Sequence, residues 1–483
     1  MMLTILLITL LCATVVAISA RQPRLGYNLD RDIQGQLPSG PLNVLILTAG
    51  VGGGHNAAGR ALEDELTQAG HHVTMIDGIR AMSPVLAWLL VQGYVQPLRF
   101  APWLLRPVFG VASHRWGARV IQGLVSATFG GRLQRTIQAH NPDVVFSTFP
   151  LITGVLGRLR SRGELTVPTL AAIADYGAHA LWVAPGIDLH LVMSEQSADI
   201  VRQAGGMAAP MRLPVASSFR ISYQRDAMRA ALNIPGDAFV VLIIGGALGI
   251  GDVEGATVEA LAAGAFPLVV TGRNEHLRAR LEHRFGQRDE IRILGWRSDV
   301  ATLMGAADCL LQNAGGMTCL EAIEMELPIV MYQPIPGHGK FNAQVMEQTG
   351  AATWPRSSSE LRQLFAAAAR HERPLRVPAY AVNQPSIHTV LAALPTFVHD
   401  AALRAPQPRR SWQQISVVGL LTALGMVRTS GEPLMALAEV DAGVDRVVRK
   451  FRDAQLSRRI DDQFKQQWTR WSQSVGVRAR DER

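Results

Sequence analysis

The sequence predicts an α/β protein built from two Rossmann-like, doubly wound domains that face each other across a cleft. Short apolar runs of strand length alternate with segments of helical periodicity through most of the chain, which is typical of parallel sheets. Glycine-rich turns follow a predicted strand at 50–54 and again at 245–249, where doubly wound folds bind their ligands. At 483 residues, the chain is long enough for two domains of ordinary size.

The first predicted unit opens with a β-branched, apolar run at 44–47, which is followed by the glycine turn and a helix. A helix is also expected at about 152–162, and the remaining strands are expected at 73–76, 143–149, 167–174 and 189–194. Asp175 and His179 come after the 167–174 strand. Open α/β sheets bind ligands at the carboxyl ends of their strands, so both side chains are expected beside a ligand. Alternatively, Asp175 and His179 form a local helix cap and its partner. Trp182, which follows them, is equally suited to the hydrophobic core and to the site.

The second predicted unit begins near Phe239 and repeats the same alternation. Its strands are expected at 240–244, 267–271, 291–294, 308–311 and 328–332. The turn at 313–316 leads into a predicted helix at 317–323, and free N–H groups at such a helix start attract anions. We therefore expect an N-terminal domain at 42–218 and a C-terminal domain at 219–382, the second with a site for an anionic ligand.

The most informative single residue is His55, which lies where the first glycine loop turns into a helix. Gly53 and Gly54 let the backbone approach a ligand there. The ordinary pKa of histidine suits proton transfer near neutral pH, which makes His55 a candidate general base. The alternative is a Rossmann-like turn with an incidental histidine.

The amino-acid composition limits which kinds of partner the protein can bind and in which cellular compartment it is expected. A formal net charge of +8 points to anionic partners, which include nucleotides, acidic lipid and nucleic acid. No RNA- or DNA-binding motif accompanies this charge, so nucleic acid is not expected. The three cysteines, Cys12, Cys309 and Cys319, form no metal spacing and no disulfide framework, which fits a reducing compartment.

Three further segments concern membranes. Residues 1–20 form an apolar run without charged side chains, and Arg21 and Arg24 follow it. This pattern predicts an N-terminal membrane anchor that leaves the rest of the protein on the cytoplasmic face. The alternative is a signal segment. Residues 21–41 are expected to be a linker. Segment 79–130 mixes aromatic residues with arginine, which suits either an anionic membrane surface or core helices. The region 383–483 is expected to be a helical extension whose basic amphipathic helix, 440–471, contacts a membrane or a partner.

An ordered series of motifs carries a family resemblance. The series is GGGH at 52–55, TFPL at 148–151, Asp175 with His179 and Trp182, GGALG at 245–249, TGRN at 271–274, GW at 295–296, NAGGMTCLEA at 313–322 and PIPG with a later asparagine at 334–342. It resembles glycosyltransferase family twenty-eight, and within it the monogalactosyl- and glucosyl-diacylglycerol synthases. The lipid II N-acetylglucosaminyl transferase is more distantly similar.

The resemblance implies a GT-B fold and an inverting transfer of galactose or glucose from a UDP-sugar to a lipid acceptor such as diacylglycerol. It implies no cofactor and no metal, with His55 as the general base. The acceptor would bind to the 42–218 domain, near Gly53, Gly54, Asp175 and His179, and the UDP-sugar to the 219–382 domain. The leaving diphosphate is expected at the backbone of Gly246 and Ala247, at the helix start Gly315, Gly316, Met317 and Thr318, and at Arg273. By resemblance, Glu321 holds the ribose, the backbone of Trp296 the base, and Asn342 the sugar. His338 stands where relatives usually have a glutamine that contacts the sugar.

Two alternatives to a diacylglycerol glycosyltransferase remain at this point. The first is a transferase that acts on another lipid, such as a polyprenyl-linked or lipid II-like acceptor. The second is a UDP-sugar-binding or epimerase-like protein of the same fold that transfers nothing to lipid.

Overall fold

The computed structural model describes residues 40–50, 53–95, 110–112, 114–184, 186–335, 337–378 and 384–392. The predicted anchor at 1–20 and the amphipathic helix at 440–471 lie outside the described residues, and so does part of the aromatic segment. These three expectations therefore stay predictions. Within the described ranges, no helix combines the length and the apolar character needed to cross a bilayer.

The first sheet contains six parallel strands in the order β2-β1-β3-β4-β5-β6. Their bounds are β1 Asn43–Thr48, β2 His72–Asp77, β3 Val144–Ser147, β4 Thr169–Ala172, β5 Leu189–Val192 and β6 Ala208–Pro210. The strands inside the sheet are apolar and buried because helices cover both faces. Register pairs Thr48 with Asp77 and Leu47 with Ser147, so the carboxyl ends of β1, β2 and β3 meet at one edge.

The helices around the first sheet begin at recognisable signals. Ser83 caps α3 by accepting from Leu86 N, Pro150 occupies the first turn of α5, and Asn141 ends α4 in the left-handed conformation. The helices are α1 Gly54–Gln68, α2 Gly78–Met82, α3 Pro84–Leu90, α4 Arg115–His140, α5 Pro150–Ser161 and α6 Glu195–Gln203. A short 3₁₀ turn, Ala180–Trp182, lies between β4 and β5.

The second sheet contains five parallel strands in the order β11-β10-β7-β8-β9. Its strands are β7 Val240–Ile244, β8 Phe266–Val270, β9 Arg292–Leu294, β10 Cys309–Gln312 and β11 Ile329–Met331. The helices packed around it are α7 Arg225–Ala231, α8 Val253–Ala262, α9 Glu275–Phe285, α10 Val300–Ala306, α11 Met317–Glu324, α12 His338–Gln348 and α13 Ser358–Ala369. The predicted architecture of two parallel α/β sheets is confirmed.

Three pairs of adjacent strands are each joined at their amino-terminal ends by an aspartate carboxylate. In each pair, an aspartate directly before one strand accepts a hydrogen bond of 2.7 Å from the first N–H of its neighbour. The pairs are Asp143 with Asn43, Asp188 with Thr169, and Asp308 with Val240. Arg160 and Arg229 pair with the second and third of these carboxylates. Both sheets are thus aligned from their amino-terminal edges.

Candidate active site

A cavity of about 210 Å³ lies where the carboxyl-end loops of the two sheets face each other. The first sheet contributes the start of α1 and the loop after β4. The second contributes the loops after β7, β10 and β11. A Cβ atom added to Gly53 would lie 3.1 Å from the Cβ of Ala247, so glycine allows this close approach of the two halves.

His55, in the first turn of α1, lines this cavity with one nitrogen already engaged. Its Nδ1 lies 2.7 Å from the carbonyl oxygen of Thr148. Because a carbonyl oxygen only accepts, Nδ1 carries the proton in the neutral ring, and Nε2 keeps a free lone pair. The hydroxyl of Thr148 donates back to the His55 carbonyl at 3.1 Å. The ring also packs edge-on against Phe149, with centroids 4.9 Å apart. Orientation and tautomer are therefore both fixed.

The environment of His55 keeps its imidazole neutral. Burial lowers its pKa below the ordinary 6.5, and the positive field of His179 adds to this, while the Asp175 charge and the Thr148 carbonyl oppose it. A neutral imidazole with a free Nε2 can take a proton from a substrate hydroxyl at neutral pH.

Asp175, just beyond β4, is the charge around which the histidines of the site are grouped. Burial on its own would raise its pKa, but the hydrogen bond from His179 and the fields of His338, His179 and His55 more than offset this, so the carboxyl pKa lies well below its usual range. Its Oδ2 accepts from Trp182 Nε1 at 2.8 Å and lies 3.5 Å from His179 Nε2. The carboxylate is therefore ionised and held from several sides.

Trp182 belongs to the core, since its side chain is 0% exposed. It lies behind the site, where the indole N–H orients Asp175 and the ring centroid is 6.0 Å from that of His55. Of the two readings open for this residue, the core reading is the one that the structure supports.

The loop after β7 turns tightly on glycines. Gly246, Gly249 and Gly251 all have positive φ, at 68°, 58° and 99°, a region that L side chains rarely adopt. Gly246 and Ala247 line the cavity through this loop.

The start of α11 lines the same cavity as His55. Gly316 is the N-cap and provides no side-chain cap, while Met317 and Thr318 of the first turn line the cavity. The N-terminus of α8, by contrast, is capped by Asp252, which accepts from Gly255 N at 2.8 Å. Uncapped first-turn N–H groups and the helix dipole make the α11 start a favourable place for anionic oxygens.

Glu321 lies one turn further along α11, outside the cavity lining. Burial raises its pKa to about 7. A carboxylate at this position can accept hydrogen bonds from ligand hydroxyls.

Arg273 and Trp296 lie together but away from the cavity. The Arg273 guanidinium carbon lies 4.4 Å from the Trp296 ring centroid, and the tryptophan is 50% exposed. Arg273 N donates to Ala247 O at 2.9 Å, which ties this pair to the glycine turn. The guanidinium expected at the diphosphate therefore stacks on the ring of the residue whose backbone is expected to pair with the base.

His338 and Asn342 both come from α12, but only His338 lines the cavity. Burial lowers the pKa of His338, and the Asp175 charge opposes this. Asn342 is 0% exposed, and its carboxamide is bonded to protein groups from both halves. Gly315 lies against the Asn342 side chain, behind the start of α11.

Sequence reasoning missed the groups that orient the site. It assigned no role to the Thr148 carbonyl, although the TFPL motif contains it. It also missed Gln312, whose Oε1 accepts from Asn313 N at 2.6 Å and shapes the loop after β10. Among the described residues, no group of three or more His, Cys, Asp or Glu side chains is arranged to hold a metal ion.

Comparison with known proteins supports the resemblance. The model of the monogalactosyldiacylglycerol (MGDG) synthase family matches residues 55–210, from His55 to the end of β6. The chain is 26% identical over 326 residues to the processive diacylglycerol beta-glucosyltransferases of Bacillus cereus (strain G9842) and Bacillus thuringiensis (strain Al Hakam), which covers 66% of this chain and 83% of each relative. Acinetobacter baumannii MurG, a solved structure, matches with a TM-score of 0.48 and 16% identity, over 74% of this chain and 100% of that chain. The relatives confirm what the ordered motifs indicated: the chain is a glycosyltransferase similar to the diacylglycerol glycosyltransferases of family twenty-eight.

Proposed function

We propose that the protein transfers glucose or galactose from a UDP-sugar to the free hydroxyl of diacylglycerol, with inversion at the anomeric carbon. The observation that carries this proposal is the pairing of His55 with the start of α11. A neutral imidazole with its tautomer fixed and an uncapped helix N-terminus line one cavity. An inverting transfer needs both a base and an anion site within one cavity.

The reaction follows from this geometry in one displacement. Nε2 of His55 takes the hydroxyl proton as the acceptor oxygen attacks the anomeric carbon. The bond from that carbon to the diphosphate breaks on the opposite face, and its electron pair leaves with UDP. The imidazolium formed at His55 lies in the field of the Asp175 carboxylate, which favours it.

The leaving diphosphate is placed at the second sheet. The N–H groups of Met317 and Thr318 and the glycine turn at Gly246 and Ala247 can meet its growing charge. Glu321, one helical turn beyond, accepts hydrogen bonds from the ribose hydroxyls. Trp296 and Arg273 then lie at the base end of the donor, and no metal or other cofactor is required in this scheme.

The acceptor and the sugar are proposed from the relatives. Two of these are named diacylglycerol beta-glucosyltransferases, and the matching family is named for monogalactosyldiacylglycerol synthesis. The family match runs from His55 to the end of β6 and so includes five of the six strands of the first sheet. We therefore propose that the lipid binds on the first-sheet side of the cavity. His338 lines the same cavity, and its side chain is proposed to lie beside the hexose.

An apolar surface on α3 is proposed to contact the cytoplasmic face of the cell membrane. Val85, Trp88 and Leu89 are 65%, 60% and 51% exposed, and the basic chain favours anionic lipid. The double variant W88S/L89S is expected to bind vesicles containing anionic lipid at least tenfold more weakly in a sedimentation assay. The matched control is I221S, which removes an apolar side chain that is 60% exposed elsewhere. Equal losses in both variants would contradict the assignment.

The direct test of function uses the purified full chain with labelled UDP-glucose or UDP-galactose and vesicles that contain diacylglycerol. Label in a chloroform-soluble product that depends on diacylglycerol is the expected result. Label that appears only with a polyprenyl-linked acceptor would favour the other lipid transferases. Label that stays in water while the sugar is altered would favour an epimerase-like protein.

A further inference from the structure

Asn342 connects the two halves of the molecule at the active site. Its Oδ1 accepts from Gly177 N at 2.8 Å, just beyond Asp175 in the first half. Its Nδ2 donates to Ala314 O at 2.8 Å, in the loop after β10 of the second half, and to Asp175 Oδ1 at 3.3 Å. We call this arrangement of Asn342, Asp175, Gly177 and Ala314 the Asn342 clamp.

The carboxamide of Asn342 is fully committed to these protein contacts. Both of its N–H groups are used, one on a carbonyl and one on a carboxylate. The side chain is 0% exposed and does not line the cavity. In this arrangement it has no donor left for a sugar hydroxyl, which differs from the direct sugar contact that the resemblance implies.

Two glycines make room for the clamp, one on each side. A Cβ on Gly315, whose φ is 74°, would lie 2.6 Å from Asn342 Cβ. A Cβ on Gly177 would lie 2.8 Å from the ring of Phe341 and 3.2 Å from Asn342 Oδ1. The backbone adds a further link, since Tyr176 N donates to Gly315 O at 3.3 Å. Both loops are thus shaped to receive this one side chain.

We propose that Asn342 is a positioning residue, which holds the Asp175 carboxylate beside His55 by tying the loop after β4 to the loop after β10. This inference rests on the proposed function, since it concerns the same transfer. The clamp forms only when the carboxyl edges of the two sheets are together. The charge that stabilises the protonated base is therefore held in place by groups from both halves of the site.

The test compares two replacements that separate positioning from sugar contact. N342A removes all three hydrogen bonds, and kcat is expected to fall by roughly 10- to 100-fold, the scale of misplacing a catalytic group. KM for the UDP-hexose is expected to change by less than about threefold, because no contact with the sugar is lost.

N342D places a second carboxylate against Asp175 and is expected to have a lower kcat than N342A. A residue that only bonds sugar hydroxyls would give the opposite order, since a carboxylate accepts from hydroxyls and alanine does not. N342D more active than N342A, or a large rise in KM with unchanged kcat, would overturn the proposal.

A matched control tests whether any loosened contact between the halves has the same effect. Gln348 also lies on α12 and accepts a hydrogen bond from Gln196 of α6, far from the cavity. Q348A is expected to keep the wild-type kcat. If it loses as much activity as N342A, the clamp has no special role.

A readout without turnover separates failure of this inference from failure of the proposed function. Hydrogen exchange by mass spectrometry is expected to speed up at Tyr176 and Gly177 in N342A but not in Q348A, with binding of UDP retained in both. Unchanged exchange in N342A would refute the clamp even if transfer is observed. Faster exchange with no transfer by the wild type would keep the clamp and refute the function. Should N342A not fold, N342S replaces it, because its hydroxyl can still accept from Gly177.

Discussion

Replacement of His55 by asparagine tests the base with little disturbance of the fold. The amide nitrogen of asparagine stands where Nδ1 stands in histidine, so it can still donate to the Thr148 carbonyl now bonded at 2.7 Å. What the variant loses is Nε2, the nitrogen that carries the free lone pair. Thermal unfolding and UDP binding are therefore expected to stay close to those of the wild type.

The expected loss follows from the protonation state of the ring. With the ordinary pKa of 6.5, about three quarters of the imidazoles would be neutral at pH 7. Burial lowers the pKa of His55, so the neutral fraction is larger still. Almost all of the enzyme is ready to act, and removal of the base should cost the full contribution of general base catalysis. That is about 10²- to 10⁴-fold in kcat, or about 3–5 kcal/mol.

The assay is transfer of labelled hexose to diacylglycerol in vesicles, measured from pH 5 to pH 8. Wild-type kcat/KM is expected to fall as the pH drops through the His55 pKa, at a midpoint below 6.5, because protonation removes the lone pair. H55N is expected to lack this limb. The control is H140N, since His140 Nδ1 makes a similar bond of 2.8 Å to Thr136 O at the end of α4, remote from the cavity. An H55N enzyme that keeps more than about a tenth of wild-type kcat would refute the base assignment.

Two further predictions concern other titrating groups. Because burial raises the pKa of Glu321 to about 7, the affinity for UDP-glucose is expected to fall as the pH drops from 8 to 6. The E321Q variant is expected to bind about 10- to 100-fold more weakly at pH 8 and to lack this pH dependence. Calorimetry measures both affinities, and E275Q is the control variant. Burial lowers the pKa of His190 from 6.5 to about 4. As the pH falls, His190 is therefore protonated in the unfolded chain before it is protonated in the folded protein. About 3 kcal/mol of the free energy of unfolding is expected to be lost between pH 6.5 and pH 4. Urea unfolding should show a weaker pH dependence for H190Q than for the control H72Q; identical slopes would contradict this account.

The elements that follow from local pattern could be predicted from the sequence. The apolar run at 240–244 is strand β7, and both glycine turns contribute to one cavity, the first through Gly53 and Gly54 and the second through residues 245–248. His55 was identifiable because its loop, its position before a helix and its chemistry are all local in the sequence.

The contacts that orient the site could not be predicted in this way. The Asn342 and Asp175 side chains are 167 positions apart, and His55 and the Thr148 carbonyl are 93 apart. No periodicity links such residues, because their meeting depends on how two sheets are placed. The same limit applies to Arg273, which the sequence places at a turn but which the fold stacks on Trp296.

The aspartates that precede β3, β5 and β10 have a consequence for how this site can change. Each fixes its strand pair from the amino-terminal edge, at the end opposite to the cavity. The alignment of the strands therefore does not depend on the loops at their carboxyl ends. Insertions or exchanges in those loops are therefore expected to leave the strands in register, so the lining of the cavity can change while the two sheets keep their framework.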